Sequence, residues 1–135
     1  MALLPRLLLD THILVRWLRD RKKLTRTQLR VLESAVRKRE PLAFSAVTLL
    51  EIAVLVGDNR IVLKTSLEQC FAKVQADPEL QLLPMTFEIA EDASHLGILR
   101  DPMDRAIAAT ARIHSLTLVT SDQRICESGL ATTLG

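Results

Sequence analysis

The chain has 135 residues, 48% of them apolar and 25% charged, and a formal net charge of +2. That length suits one domain, the apolar share argues against a disordered chain, and so small a basic excess does not by itself announce nucleic-acid binding. With 3% aromatic residues and no Tyr, the core must be mostly Leu, Val, Ile and Ala, and stacking bases on aromatic platforms has little to work with.

The start, MALLPRLLLDTHILVRW, has the outline of a secretion signal, but Pro5, Arg6 and Asp10 interrupt it and no small-residue cleavage site follows. LLPRLLLD ends in a short apolar run suited to a strand buried on both faces. THILVRWLRD changes to helical spacing, with Ile13, Leu14, Trp17 and Leu18 on one side. A second helix is predicted over Thr25–Arg39, its stripe formed by Leu29, Leu32, Ala35 and Val36. PLAFS is the next strand, with Pro41 at its first position. AVTLLEIAVLV follows as a helix apolar nearly all round, ending at Gly57-Asp58-Asn59.

The spacing predicts another helix over Thr65–Ala76, closed by Asp77-Pro78. LQLLPM is a short strand, and Thr86 caps a helix expected to run to about Leu99. DPMDRAIAATARIHS opens with Asp101 as N-cap and Pro102 in the first turn. LTLVT is a buried strand, SDQRICES a short helix, and the last residues add an edge strand. No repeat, low-complexity tract or Gly/Ser linker divides the chain, so residues 1–135 are expected to form one domain. Alternating strands and helices predict an α/β/α sandwich around a mainly parallel sheet of four or five strands. No stretch approaches the roughly 18 apolar residues needed to span a bilayer, so a cytoplasmic protein without membrane association is expected.

In such sheets ligands sit beyond the carboxyl ends of the strands. Asp10 directly follows the first strand, and Asp122 lies just past Val119, the end of the LTLV run. Each has a plainer reading, as a helix cap or turn residue. Glu51 is the only charged residue within Ala46–Val56 and shares a helix side with Val47, Val54 and Leu55. A carboxylate there is costly unless paired or bound to a metal, and no Lys or Arg lies three or four positions away. Asp104 is aligned with the small residues Ala108 and Ala111, so it should point towards the strand ends; its plainer role is a capping-box partner. Asp101 is accounted for as the cap.

Four carboxylates meeting at one sheet edge would repel, raising some pKa values, and a hard divalent cation removes that conflict. Oxygen ligands without His or Cys fit Mg²⁺ or Mn²⁺ rather than Zn²⁺, and one or two such ions can activate water against a phosphodiester. His12, His95 and His114 are each expected on a helix, as packed or surface residues rather than ligands. Arg16, Arg19, Arg21, Lys22 and Lys23 cluster early, and Arg37, Lys38 and Arg39 form a second run. Either run could follow a phosphate backbone or simply cover a solvated face. Cys70 and Cys126 show no metal-binding spacing; reduced thiols are expected, a single disulfide being the alternative.

LLLDTHILVRWL, SAVTLLEIA, DPMDRAIAATA and LTLVTSD, in that order and together spanning nearly the whole chain, resemble the PIN-domain family, and in particular the VapC-type toxins of toxin–antitoxin pairs. The resemblance implies an endoribonuclease that uses one or two Mg²⁺ or Mn²⁺ ions and cleaves tRNA or rRNA to inhibit translation. Matched position by position, Asp10, Glu51, Asp104 and Asp122 correspond to the family's acidic quartet. Asp10 and Asp104 would be the principal metal ligands, Glu51 would complete the metal site or orient the attacking water, and Asp122 would support it. Thr120 corresponds to the small hydroxyl residue before the last acid, and Arg105 and Arg124 would touch the RNA. The family also implies a homodimer and a cognate antitoxin lying over the groove. The slightly positive mean hydropathy, +0.18, agrees with a surface meant to be covered.

Other folds with acids at strand ends are excluded by what is missing. A haloacid-dehalogenase-like phosphatase needs a second Asp where His12 stands, and neither a dinucleotide-binding glycine motif nor a P-loop is present. The remaining alternative is a non-catalytic PIN-like module that binds RNA or a protein. Such a copy would usually have lost one acid, and this chain has all four.

Overall fold

Leu7–Leu9 form β1, the middle strand of a five-stranded sheet ordered β3-β2-β1-β4-β5 in which every pairing is parallel. Its partners are β2 (Leu42–Ser45) on one side and β4 (Thr117–Val119) on the other; β3 (Leu80–Leu83) and β5 (Thr133–Leu134) are the edges. This computed structural model describes residues 3–135, so Met1 and Ala2 of the leader-like start lie outside the described residues. The expected α/β/α sandwich is present, with its final edge strand.

Seven helices connect and cover the strands among the described residues. Between β1 and β2 lie α1 (Thr11–Arg19), a single 3-10 turn (Arg21–Lys23) and α2 (Arg26–Arg37). Between β2 and β3 lie α3 (Ala46–Gly57) and α4 (Leu67–Ala76). Then come α5 (Phe87–Ser94) and α6 (Pro102–His114) before β4, and α7 (Gln123–Ser128) before β5. The winding therefore reverses between β1 and β4, which creates a switch point at their carboxyl ends.

Alternation along β1 separates two cores. Leu7 and Leu9 pack with Ile13, Leu14 and Trp17 of α1 and Leu32 of α2. Leu8 faces the other way, into Ile89 of α5, Ile107 and Ala108 of α6, and Ile125 of α7. Leu8, Leu9, Ile13, Leu14 and Ile107 are fully buried, each stabilising the fold by about 1.5–3 kcal/mol relative to exposure. Residues 106–111 of α6 are buried throughout; four alanines among them let this helix sit deep against the sheet. Ala108 and Ala111 of the expected stripe thus lie in the buried middle of α6, and Asp104, at its start, is only partly buried.

Three expectations need correction. The α4 helix starts at Leu67, because Ser66 and Gln69 form a capping box there. The α5 helix stops at Ser94 instead of running to Leu99; the chain turns at His95, which leaves the helix, and Leu96 and Leu99 enter the core from a turn. Apolar spacing of three residues fits such a turn as well as a helix. Leu18, expected on one side of α1 with Ile13, Leu14 and Trp17, is 37% exposed while those three are buried, and Leu50 and Val54 of the nearly all-apolar α3 are also exposed. Cys70 and Cys126 are both free. Among the described residues no helix is long and apolar enough to cross a membrane.

Candidate active site

Asp10 occupies the N-cap position of α1, yet its side chain makes no capping hydrogen bond. It turns instead across the switch point, where its Oδ2 accepts the Thr120 hydroxyl at 2.6 Å. The register of the sheet forces this meeting: Leu9 pairs with Val119, and the Asp10 amide continues the ladder to the Val119 carbonyl at 3.0 Å. The next residue of each strand is therefore a neighbour of the other. Capping does not account for Asp10. Burial pushes its carboxyl above the ordinary range and the Asp122 charge adds to this, while the Thr120 hydroxyl, the Thr11 backbone and His12 pull the other way.

Thr120 is fully buried and bonded on both sides. Besides donating to Asp10, its Oγ1 accepts the backbone amide of Asp122 at 3.0 Å. Asp122 in turn caps α7, accepting from the Arg124 amide at 2.9 Å, and lies 3.3 Å from the Arg124 guanidinium. Burial raises the Asp122 carboxyl, but the hydrogen bonds and charge of Arg124 outweigh it and hold the group below its ordinary value. The cap role read for Asp122 in the sequence is real, and it coexists with a place at the site.

Asp104 stands in the first turn of α6, behind the Asp101 cap, whose Oδ1 accepts the Met103 amide at 2.8 Å. Its carboxyl is pushed up to about 7, first by burial and then by the charges of Asp101, Asp10, Asp122 and Glu51. Every acid singled out in the sequence thus acts on this one group. Glu51, half-buried on α3, has no Lys or Arg ion-pair partner among the described residues. The Thr11 and Thr48 hydroxyls, 3.0 Å apart and buried, tie α1 to α3.

Asp10, Glu51, Asp104 and Asp122 line one cavity of about 320 Å³, joined by Asp101. Among the described residues no three acidic, histidine or cysteine side chains are close enough to enclose an ion as they stand. The donor chemistry fits a cation of a particular kind. The acids are all-oxygen donors, mutually repelling and spread around an open space, which suits an ion that keeps much of its water shell, as Mg²⁺ does. It does not suit a closed, dehydrated cage.

The bases are arranged differently from expectation. Arg124 lines the cavity, but Arg105 does not: its Nε donates to the Leu99 carbonyl and pins the turn before α6. Its position beside Asp104 in sequence carried no information about direction, since adjacent helix residues point some 100° apart. His12, Arg16 and Arg60 do line the cavity. Arg16 follows His12 by one helical turn, a signal that was available. Arg60 is delivered by the left-handed Asn59 (φ 57°) at the end of α3, which the Gly57-Asp58-Asn59 stop only hinted at. Gln28 carries no distinguishing signal in the sequence, yet it is wholly buried, forms the capping box of α2 with Thr25, and donates to Ser121 Oγ at 2.9 Å.

The sequence matches the profile of the family described as PIN domain over residues 7–129. No curated protein matches it. Among solved structures, the chain is similar to FitAcB from Neisseria gonorrhoeae at 21% identity, covering 96% of each chain with a TM-score of 0.69. It is similar to VapBC2 from Rickettsia felis, bound to a DNA fragment from its promoter, at 18% identity, covering 95% of this chain and 96% of that one, TM-score 0.69. A toxin–antitoxin complex from Klebsiella pneumoniae is 24% identical over 95% of both chains, TM-score 0.64.

Proposed function

Because the chain belongs to the PIN domain family, we propose that it is a divalent-metal-dependent endoribonuclease, the toxin of a toxin–antitoxin pair that cleaves tRNA or rRNA and so inhibits translation. One observation carries this reading: Asp10, Glu51, Asp104 and Asp122, far apart in sequence, line a single cavity at the switch point of the sheet. Supporting it, similar solved structures include one described as a toxin–antitoxin complex and one of VapBC2.

Asp10 and Asp104 are the principal ligands for one or two Mg²⁺ or Mn²⁺ ions, with Glu51 completing the site or orienting the attacking water and Asp122 supporting it. A cation held there would supply activation of water and charge stabilisation for the attacking and leaving oxygens of a phosphodiester. Thr120 fixes the rotamer of Asp10 and favours its ionised form by donating to it. Its second bond, from the Asp122 amide, keeps that acid in register with Asp10. Arg124, exposed at the rim and only partly committed to Asp122, contacts the RNA backbone.

The partners belonging to this role are an antitoxin that covers the groove and a second copy of the chain. Large apolar side chains left in solvent, Phe87 at 98% and Ile98 at 72% exposure, are the kind of surface that association buries. The test is expression in bacterial cells of the chain and of its Asp10→Asn variant. Growth arrest with RNA fragmentation by the first and not the second is expected. Arrest without RNA cleavage, or by both proteins equally, would favour a non-catalytic binding module.

A further inference from the structure

A second cavity, of about 340 Å³, shares His12, Arg16 and Arg60 with the acidic one. Beyond these shared residues it is lined by Arg19 and Lys23, with Asp20 as its one acid, and otherwise by aliphatic side chains. Lys23 is held to Asp20 at 3.9 Å. The uncompensated charge therefore lies on Arg16, Arg19 and Arg60, none of which has an ion-pair partner among the described residues. Arg16 and Arg19 are one turn apart on α1 and so project from neighbouring parts of its surface.

The geometry points to this second cavity as a phosphate-binding track that leads a single-stranded stretch of RNA from Arg19, past Arg16 and Arg60, into the acidic cavity; this rests on the nuclease reading above. A polyanion approaching five carboxylates is repelled unless positive charge is placed on its path. Unpaired guanidiniums are suited to that work, because their forked donors match phosphate oxygens. The track holds backbone rather than bases. The chain's one Trp, Trp17, is 3% exposed, with the Arg21 guanidinium 3.5 Å above its ring, so it offers no face for a base to stack on. An acidic protein segment could meet the same arginines. The track's continuity with the cavity where a phosphodiester must sit favours RNA.

The experiment compares the full chain with its Arg16→Ala/Arg60→Ala and Arg16→Lys/Arg60→Lys variants, each checked for an unchanged melting temperature. Cleavage of a labelled single-stranded oligoribonucleotide in Mg²⁺ is followed across a series of salt concentrations. The alanine pair should raise KM about ten-fold while leaving kcat within about two-fold, and lysine should restore most of the loss. Two lost phosphate contacts should also reduce the slope of log affinity against log salt by about 1.4, since each contact to a single strand contributes about 0.7. An unchanged KM and slope in the alanine pair overturns the track. So does a preference for polyglutamate over RNA that the two substitutions abolish, which would make the groove a protein site. If the wild type leaves every RNA intact, the nuclease reading is what fails. Anisotropy of the same oligonucleotide in EDTA then reads the track separately, and equal affinity and salt slope for wild type and alanine pair would overturn it.

Discussion

Thr120 donates its hydroxyl proton to Asp10 across 2.6 Å, within a wholly parallel sheet and between the ends of two strands that are adjacent in space but separated by 110 positions in sequence. A carboxylate that is 7% exposed needs such a donor. The same oxygen accepts the Asp122 amide, so one side chain sets the relative positions of two acids.

Thr120→Val should therefore remove more than a contact. It strands the Asp122 amide and takes a charge-assisted bond from Asp10, lowering stability by about 2 kcal/mol, measured by urea denaturation in EDTA. Metal-dependent RNA cleavage should fall at least ten-fold. Thr120→Ser, which keeps the hydroxyl, should recover most of both. Full activity in the valine variant would deny Thr120 its positioning role.

Asp104 gives a pH prediction with a definite sign. Its carboxyl titrates at about 7 in the folded chain against 3.8 ordinarily, so between those values the native state binds the extra proton. Stability from this group is fully present below about pH 4 and is lost as pH rises to and through 7. In EDTA, Asp104→Asn should flatten that decline and be as stable as the wild type or more so at pH 8, while abolishing cleavage. A marked loss of stability at pH 8, or near-normal activity, would mean that Asp104 does not belong to the metal site. Added Mg²⁺ should raise the melting temperature of the wild type at pH 8 and affect the variant much less.

Asp101 separates capping from chemistry. Asp101→Ala should cost about 1 kcal/mol of helix stability and leave most activity. Asp101→Ser keeps a capping oxygen and should hold wild-type stability. It should also lower the pKa of Asp104, because the Asp101 charge is the largest influence on it after burial; NMR titration of the Asp104 carboxyl reads this directly. An inactive serine variant would make Asp101 a member of the machinery.

Gln28→Ala opens the link between α2 and the 120–122 loop. Losing a buried capping partner and the 2.9 Å bond to Ser121 should destabilise the chain by about 2 kcal/mol. Amide exchange of Asp122 and Gln123 should quicken more than that of β1. If exchange quickens uniformly, Gln28 is only a core residue.

Much of this was legible in the sequence because local chemistry and global arrangement agree. LLLD and LTLVT each show an apolar strand followed by polar residues, and a parallel pairing of the two brings Asp10 to Thr120. Asp101-Pro102 marks the start of α6, which places Asp104 in its first turn. What was not legible depends on contacts beyond any local pattern. Gln28 looks like an ordinary polar helix residue until Ser121, 93 positions away, is brought to it. Arg105 and Arg16 exchanged apparent importance because distance from an acid along the chain says little about side-chain direction on a helix. Leu50 and Val54 look like core, yet both are exposed on α3, because a helix apolar nearly all round carries no pattern that says which side meets the sheet.

The most direct test of the proposed metal-dependent nuclease activity is cleavage by the purified chain, freed of any antitoxin, incubated with total RNA in Mg²⁺ or Mn²⁺ and in EDTA beside Asp10→Asn. Discrete fragments that require the metal and vanish in the variant are the predicted result, and mapping their ends identifies the target. Intact RNA under every condition, from a folded protein shown by calorimetry to bind Mn²⁺, would contradict it.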